Sequence, residues 1–215
     1  MIPPVNGLAI DAKNLARRYG RRWALLDVSF QVAAGSVLVV AGRNGSGKST
    51  LFRTLATAIR PDRGQATILG FDLVRDRYDV RKAIALLSHY SYLYEQLTAR
   101  ENLDITARFL GIEGIEDALA RVDLAGRGDD AVATFSAGMR KRLSFARVLL
   151  QNPQIALLDE PYGQLDPEGF VLVDEVVREL KRRGTTVLMA THQLERGKGL
   201  ADDMLCLEAG RVVPC

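Results

Sequence analysis

Residues 42–50 combine glycines, a lysine and hydroxyl side chains in a spacing that can bind phosphate. They read GRNGSGKST and fit the pattern G-x-x-x-x-G-K-[ST]. Glycines let the backbone wrap closely around an anion, Lys48 supplies a positive charge for the outer phosphates, and Ser49 is placed to bind Mg²⁺. The sequence therefore predicts a binding site for the phosphates of a nucleotide. Its predicted residues are Gly42, Asn44, Gly45, Ser46, Gly47, Lys48, Ser49 and Thr50.

Two adjacent carboxylates, Asp159 and Glu160, follow an apolar run later in the chain. At the end of a buried strand, Asp159 can hold Mg²⁺ through water. Glu160 is one residue further on and faces differently, so it can polarise an attacking water. Adjacent carboxylates that close a buried run are costly without a cation or a catalytic task, so we expect both to serve the phosphate site. A solvated acidic turn is the alternative for the pair taken alone.

Apolar runs directly before these two stretches predict the strands that position them. Residues 37–41 and 155–158 are short, continuous and apolar, which is typical of buried strands, and residues 186–190 form another. Repeated strand and helix units indicate an α/β fold with a parallel-rich sheet covered by helices. Ligands of such sheets bind at the carboxyl ends of the strands, where the phosphate loop and Asp159 would both lie.

The first part of the chain predicts two strands separated by a turn. Residues 8–14 alternate apolar and polar side chains and predict an edge strand, and residues 23–32 alternate in the same way. Residues 17–22 between them are rich in arginine and predict a basic turn.

The middle of the chain predicts helices rather than strands. Thr98 and Glu101 have capping-box spacing at the start of one helix, and residues 115–122 and 136–150 predict two more. We therefore expect a helical insertion in an otherwise alternating chain. The predicted domains are a nucleotide-binding core of residues 1–88 and 151–215 and a helical subdomain of residues 89–150.

Length and composition restrict the class of protein. The chain has 215 residues, 47% of them hydrophobic, and a formal net charge of +3, which fits one domain or one domain with an insertion. Its basic stretches lack interleaved aromatic residues, so no nucleic-acid partner is expected. No apolar stretch approaches the roughly 20 residues of a membrane-spanning helix. Cys206 and Cys215 have neither metal-ligand spacing nor the pattern of a disulfide framework, which fits a reducing, cytoplasmic setting.

A third stretch, residues 135–139, connects these observations to a family. It reads FSAGM, precedes a basic helix and lies shortly before the acidic strand. In that position it resembles the signature sequence of the ATP-binding-cassette ATPases, from which its first, third and fifth residues depart. The resemblance implies that Ser136 and Gly138 bind the γ-phosphate of ATP held by the other subunit. Taken alone, Ser-Ala-Gly before a helix is more simply a helix cap.

The resemblance covers nearly the whole chain and implies roles for four further residues. His192 matches the family's histidine that contacts the γ-phosphate and the attacking water, and His89 stands where most members have a glutamine that senses Mg²⁺. Tyr19 resembles the ring that stacks on adenine, and Asp166 marks the loop that joins the acidic element to the opposite subunit. Plainer explanations are that His192 is a surface histidine and His89 a loop histidine. Tyr19 could instead be a packed surface ring, and Asp166 a helix cap. The implied catalytic residues are Lys48, Glu160 and His192, and the implied Mg²⁺ ligands are Ser49, Asp159 and His89.

Fold, activity and partners follow from the same resemblance. The fold would be that of an α/β phosphate-loop NTPase with an N-terminal antiparallel β part and an inserted helical subdomain. The activity would be hydrolysis of ATP with Mg²⁺ in a head-to-tail homodimer, coupled to transport. The partners would be hydrophobic membrane subunits, which would place the chain peripherally on the cytoplasmic side of the inner membrane.

A finer resemblance is to the ATP-binding subunits of the haem exporters of cytochrome c maturation. It rests on His89 in place of glutamine and on residues 97–103, 135–142 and 159–167. It implies haem export for cytochrome c biogenesis, although the sequence contains no C-x-x-C-H motif.

Other functions remain open at this point. The alternatives are a cassette that exports a lipid, a drug or an ion and, with less support, a soluble cassette ATPase. A phosphate-loop kinase or GTPase is disfavoured because the sequence contains no guanine-reading motif. Tyr90, Tyr92 and Tyr94 could form an aromatic docking surface for a membrane partner or belong to a partly buried helical face.

Overall fold

An antiparallel sheet forms from the alternating residues at the start of the chain. In the computed structural model, which describes residues 7–88 and 90–215, β1 (Leu8–Tyr19) pairs with β2 (Arg22–Ala33). On its other side β1 pairs with β4 (Arg63–Ile68), which continues to β5 (Phe71–Asp72). The prediction of an edge strand was therefore wrong, because β1 has partners on both sides. The basic turn is also shorter than expected, since the strands extend through most of it.

A second sheet of six strands carries the phosphate loop. Its order is β10-β9-β3-β8-β7-β6, and all its neighbours pair in parallel except β10 with β9. Its three central parallel strands are buried along their whole length, which explains their continuous apolar sequences. The strands are β3 (Val37–Ala41), β6 (Ile84–Leu87), β7 (Ile155–Asp159), β8 (Thr186–Ala190), β9 (Asp203–Glu208) and β10 (Arg211–Val213).

Seven helices of the described residues accompany these sheets, and three of them lie between β6 and β7. Their starts follow the sequence signals: Thr98 and Glu101 form a reciprocal capping box, and the Asp166 side chain caps the helix that begins at Pro167. The division at residues 89–150 stays a prediction. The helices are α1 (Lys48–Leu55), α2 (Arg77–Ala83), α3 (Ala99–Leu110), α4 (Ile115–Ala120), α5 (Ala137–Gln151), α6 (Pro167–Arg182) and α7 (Leu194–Leu200). None of these described helices is long and apolar enough to cross a membrane.

The core lies on both faces of the six-stranded sheet. Side chains of β3 alternate between two apolar clusters, with Val37 and Val39 in one and Leu38 and Val40 in the other. The first cluster also contains apolar residues of α3, α5 and α6, and the second contains those of β1, β2 and α1. The sheet therefore separates the helical region from the antiparallel sheet. The fold is the predicted α/β cassette with an antiparallel and a mixed sheet.

Strand direction brings the predicted chemical groups together. Because β3, β7 and β8 are parallel, the residues that follow them emerge at one edge of the sheet. The antiparallel sheet packs closely against this edge, since a Cβ atom at Gly47 would lie 2.5 Å from the Ala24 carbonyl oxygen. The turn after β9 adds a hydrogen bond from the Gly210 amide to the Ser46 carbonyl (2.9 Å).

One expectation about the cysteines was wrong. Cys206 and Cys215 form a disulfide, with their Cα atoms 5.2 Å apart. Cys206 lies on β9 directly beside Ala41 of β3, at the start of the phosphate loop. The nine-residue separation gave no motif, but the antiparallel pairing of β9 and β10 brings the two residues together.

Candidate nucleotide-binding and hydrolysis site

The phosphate loop has a backbone that only glycines adopt without strain. Gly42 and Gly47 have φ angles of 147° and 113°. A Cβ atom at Gly42 would lie 2.3 Å from the Leu207 carbonyl oxygen, so the loop is also closely packed against β9. Lys48 reaches back over the loop, and its Nζ donates to the carbonyl oxygens of Gly42 (2.7 Å) and Arg43 (3.2 Å). The lysine is thus held at the mouth of the loop.

Helix α1 begins in this loop without a capping side chain. Its N-cap residue is Gly47, which has no side chain to accept from the first amides. The open amides and the positive end of the helix are therefore available to an anion. The buried Ser46 hydroxyl beside them has no hydrogen-bond partner either.

A cavity of about 660 Å³ opens in front of the loop. Its walls come from the phosphate loop, the residues after β7 and β8, and the β1–β2 hairpin. Arg22 and Ala24 of the hairpin, and Gly163 after β7, are wall residues that the sequence did not identify as part of the site. The lining residues are Tyr19, Arg22, Ala24, Asn44, Gly45, Gly47, Lys48, Ser49, Thr50, Asp159, Glu160, Gly163 and His192.

Asp159 lies at the base of this cavity and is 2% exposed. Burial raises the pKa of its carboxyl group, opposed by a hydrogen bond from Ser49 and by the charges of Arg53 and Lys48, whereas Glu160 adds to the rise. Its Oδ1 atom is buried without a hydrogen-bond partner. An unsatisfied carboxylate oxygen beside a serine hydroxyl fits a Mg²⁺ ion that also takes oxygens from phosphates and water. Among the described residues, no group of three or more His, Cys, Asp or Glu side chains could hold a metal.

Glu160 and His192 form a pair at the edge of the cavity. The His192 Nδ1 atom lies 2.7 Å from Glu160 Oε2. Glu160 has a φ angle of 50°, a left-handed conformation that is unusual for a residue with a side chain. Its amide donates to the Ala190 carbonyl of β8 (2.8 Å), so the neighbouring strand fixes this turn. Glu160 is therefore directed differently from Asp159, as the sequence predicted.

A buried lysine that the sequence did not identify forms a hydrogen bond with the backbone of Glu160. The Nζ atom of Lys141, on α5, donates to the Glu160 carbonyl oxygen at 2.8 Å. Burial lowers the pKa of Lys141 to about 8, although the charges of Asp159 and Glu160 oppose this shift. One sequence signal was available: Lys141 shares a helix face with the buried residues Phe145 and Val148.

The signature residues lie apart from the cavity in the same chain. The Ser136 hydroxyl accepts from the Met139 amide (3.1 Å) and caps α5. A Cβ atom at Gly138 would lie 3.4 Å from the Gln164 carbonyl oxygen, so this loop packs beside the segment after Glu160. Neither Ser136 nor Gly138 lines the cavity around the phosphate loop. Their predicted action on another subunit's ATP stays a prediction.

The remaining predicted residues have different positions. Tyr19 lines the cavity, is 48% exposed and has the Arg17 guanidinium 5.2 Å from its ring centre. Asp166 caps α6 by accepting from the Gly169 amide (2.8 Å), which agrees with the plainer explanation without testing the other. His89 lies outside the described residues.

Comparison with known proteins gives a consistent family. A family model described as ABC transporter matches residues 25–163. The chain is 42% identical over 95% of its length to the daunorubicin resistance ATP-binding protein DrrA3 of Streptomyces coeruleorubidus, of which it covers 67%. It is 33% identical over 98% of its length to the Nod factor export ATP-binding protein I of Rhizobium etli, of which it covers 72%.

Solved structures agree with this result. The ATP-binding subunit of an ABC transporter superposes with a TM-score of 0.88 at 30% identity, covering 95% of this chain and 88% of the other. A bacterial ABC transporter cassette solved as a dimer also gives 0.88, at 25% identity over 95% and 97% of the two chains. The names of these relatives do not support the haem-export expectation. Likeness in sequence and fold over nearly the whole chain therefore shows that it belongs to the ABC transporter family, as an ATP-binding subunit with ATPase activity.

Proposed function

We propose that this chain is the ATP-hydrolysing motor of an exporter, with Lys48, Glu160 and His192 as its catalytic residues. The observation that supports this proposal best is the Glu160–His192 pair, 2.7 Å apart at the edge of the cavity formed by the phosphate loop. A base beside an anion site is the arrangement that hydrolysis of a phosphate anhydride requires.

The catalytic residues divide the reaction between them. Glu160 takes a proton from water as the water oxygen bonds to the γ-phosphorus and the bond from that phosphorus to the bridging oxygen breaks. His192 holds the Glu160 carboxylate and offers its other ring nitrogen to the γ-phosphate or the water. Lys48 and the open amides of α1 stabilise the charge on the phosphate oxygens. A Mg²⁺ ion held by Ser49 and Asp159, with residue His89 as a further candidate, would neutralise charge on the β- and γ-phosphates.

A head-to-tail homodimer completes the proposed site. Ser136 and Gly138 do not line their own chain's cavity, so the ATP on which they would act is one bound in a partner. Asp166 lies in the loop beside them and would couple the two sites. The structural relative solved as a dimer supports this arrangement. In this dimer, residues 1–88 and 151–215 would bind ATP and residues 89–150 would carry the signature.

Hydrophobic membrane subunits are the proposed partners, and the cytoplasmic face of the inner membrane is the proposed location. Tyr90, Tyr92 and Tyr94 are 63%, 64% and 58% exposed, which favours a docking surface over a partly buried helical face. The names of the relatives favour an organic export substrate of the drug or Nod factor kind over haem.

Replacement of Glu160 by glutamine tests the chemistry. Glu160→Gln is expected to bind ATP and to accumulate as an ATP-bound dimer with little turnover, measured by size-exclusion chromatography and phosphate release. Normal hydrolysis by this variant would refute the role of Glu160 as base. His89→Gln is expected to keep ATPase activity, and its complete loss would point to a histidine-specific task.

Isolation of the native complex tests the partner. The tagged chain is purified from detergent-solubilised membranes of its own organism, and the accompanying proteins are identified by mass spectrometry. A drug-type or lipid-type permease is the expected result. Membrane subunits of cytochrome c maturation would restore the haem assignment, and no membrane protein at all would contradict the exporter.

A further inference from the structure

Helix α5 carries a lysine in a position where a cation is costly. Lys141 is 7% exposed, and transfer of an ammonium group out of water is strongly unfavourable unless partners compensate it. Its partner is the Glu160 carbonyl oxygen, 2.8 Å from Nζ. An apolar side chain would fill the same space without the cost of burying a charge. What the lysine adds is its hydrogen bond to the Glu160 carbonyl oxygen.

A hydrogen bond to the Glu160 backbone can fix the direction of the Glu160 side chain. Its left-handed φ angle of 50° must be maintained by the surroundings. The amide is held by Ala190 (2.8 Å), and the carbonyl accepts from Gly163 (3.2 Å) as well as from Lys141. Because the Gly163 bond would survive loss of the lysine, the carbonyl would keep a partner but lose its shorter bond.

A half-buried cation, Arg147, makes a comparable contact from the same helix. Arg147 donates to the carbonyl oxygens of Ser91 (3.0 Å) and Tyr92 (3.4 Å), in the loop that follows β6. Lys141 and Arg147 thus tie α5 to the loops after β7 and β6. A small cavity of about 170 Å³ lies where these loops meet the start of the helix, with Lys141 and Ala137 among its lining residues.

We propose that Lys141 is a positioning residue that fixes the backbone of Glu160 and so transmits the position of α5 to the catalytic carboxylate. Ser136 caps this same helix only five residues before Lys141. A nucleotide phosphate that engages the start of α5 therefore acts on Glu160 of the same chain, whose carboxylate serves the other nucleotide of the dimer. The inference rests on the proposed role of Glu160 as base.

Variants of Lys141 separate positioning from folding. Lys141→Met is expected to lower kcat for ATP about 10- to 100-fold, because a small misplacement of a catalytic group has effects of this size. KM for ATP is expected to change little, and the melting temperature is expected to stay the same or rise, because an apolar side chain avoids the cost of burying a charge. Lys141→Arg keeps a charged donor and is expected to recover part of the lost kcat. The matched control is Lys181→Met. It removes a lysine of α6 that is paired with Asp202 (2.6 Å), and it should leave kcat unchanged.

A double variant separates this inference from the proposed function. Lys141→Met is expected to add little to the loss caused by Glu160→Gln, because residues that act as a unit are not additive. Fully additive losses, or a normal kcat for Lys141→Met, would overturn the role of Lys141 while Glu160 remained the base. Normal turnover by Glu160→Gln alone would instead remove the proposed base. If Lys141→Met fails to fold, Lys141→Gln replaces it. Its amide is polar, but it ends one atom short of the lysine Nζ and loses the short bond to the Glu160 carbonyl oxygen, so the same fall in kcat is expected.

Discussion

The phosphate loop and the signature loop both lead into a helix, but the two helices begin differently. Helix α1 follows Gly47, in a left-handed conformation, with no side chain to cap it. Helix α5 follows Ser136, whose hydroxyl accepts from the Met139 amide at 3.1 Å. One helix start leaves its amides to a ligand, whereas the other already has a partner within the chain.

This difference bears on the proposed dimer, in which the phosphate loop is preformed within one chain and the signature loop acts on the partner's ATP. The phosphate loop brings Lys48, open amides and the Ser49–Asp159 contact together in one chain. The signature loop supplies a serine that is already engaged, so a phosphate there would share or replace an existing hydrogen bond. We therefore expect strong phosphate binding at the phosphate loop and weaker binding at the signature loop.

The largest effect is expected from loss of the charge in the phosphate loop. Lys48→Ala should lower ATP turnover by about 100-fold or more, the size of effect seen when a donor to developing charge is removed. Phosphate release under saturating ATP measures it, and circular dichroism checks that the fold is retained. Turnover near that of the unmodified chain would mean that the loop glycines and amides suffice.

A smaller effect is expected from the signature loop. Ser136→Ala should weaken ATP-dependent dimerisation in the Glu160→Gln background by about tenfold, corresponding to about 1.4 kcal/mol. Thr98→Ala is the matched control, because Thr98 caps α3 in the same way and each cap contributes about 1 kcal/mol to stability. Equal dimerisation by both variants would reduce Ser136 to a helix cap.

A change in the wall of the cavity should weaken binding of the adenine ring of ATP but not binding of its phosphates. Tyr19→Ala is expected to weaken ATP binding roughly fivefold, since stacking of a base on an aromatic ring is worth about 1 kcal/mol or more. Tyr19→Phe keeps the ring and should bind ATP normally. Competition by inorganic tripolyphosphate should be the same for all three proteins. Unchanged ATP affinity in Tyr19→Ala would leave the ring as surface packing.

The last effect concerns stability instead of turnover or binding, through the pH dependence of unfolding. The Lys141 pKa is about 8 in the folded chain, below the ordinary value of 10.5, so the unfolded chain binds more protons between these values. The free energy of unfolding should therefore rise with pH in this window, by at most about 1.4 kcal/mol per pH unit. Urea denaturation of the unmodified chain and of Lys141→Met between pH 7 and 10 measures the difference. Parallel curves for the two proteins would contradict the shift.

Local signals in the sequence were sufficient for much of the fold and part of the site. The phosphate loop, the cap at Asp166 and the capping box at Thr98 each depend on a few adjacent residues. The position of the phosphate loop and Asp159 at one sheet edge also followed, because the carboxyl ends of parallel strands lie together. These predictions needed only short-range patterns and the direction of the strands.

Other features depend on contacts between distant residues and were missed. The inner position of β1 depends on its pairing with β4, which no pattern within residues 8–14 contains. The walls formed by Arg22 and Ala24 depend on how the antiparallel sheet packs on the phosphate loop. Lys141 lies 19 residues from Glu160, and only the docking of α5 against the end of β7 brings them together.

The uncapped start of α1 also links nucleotide supply to the persistence of the folded chain. A ligand that binds only the folded state stabilises it by mass action, by about 2.7 kcal/mol when its free concentration is 100 times Kd. ATP would stabilise the chain in this way, because its phosphates would accept hydrogen bonds from the α1 amides that no side chain caps. When ATP is depleted, the same chain would unfold more often and be more accessible to proteases, so its lifetime in the cell would follow the energy supply.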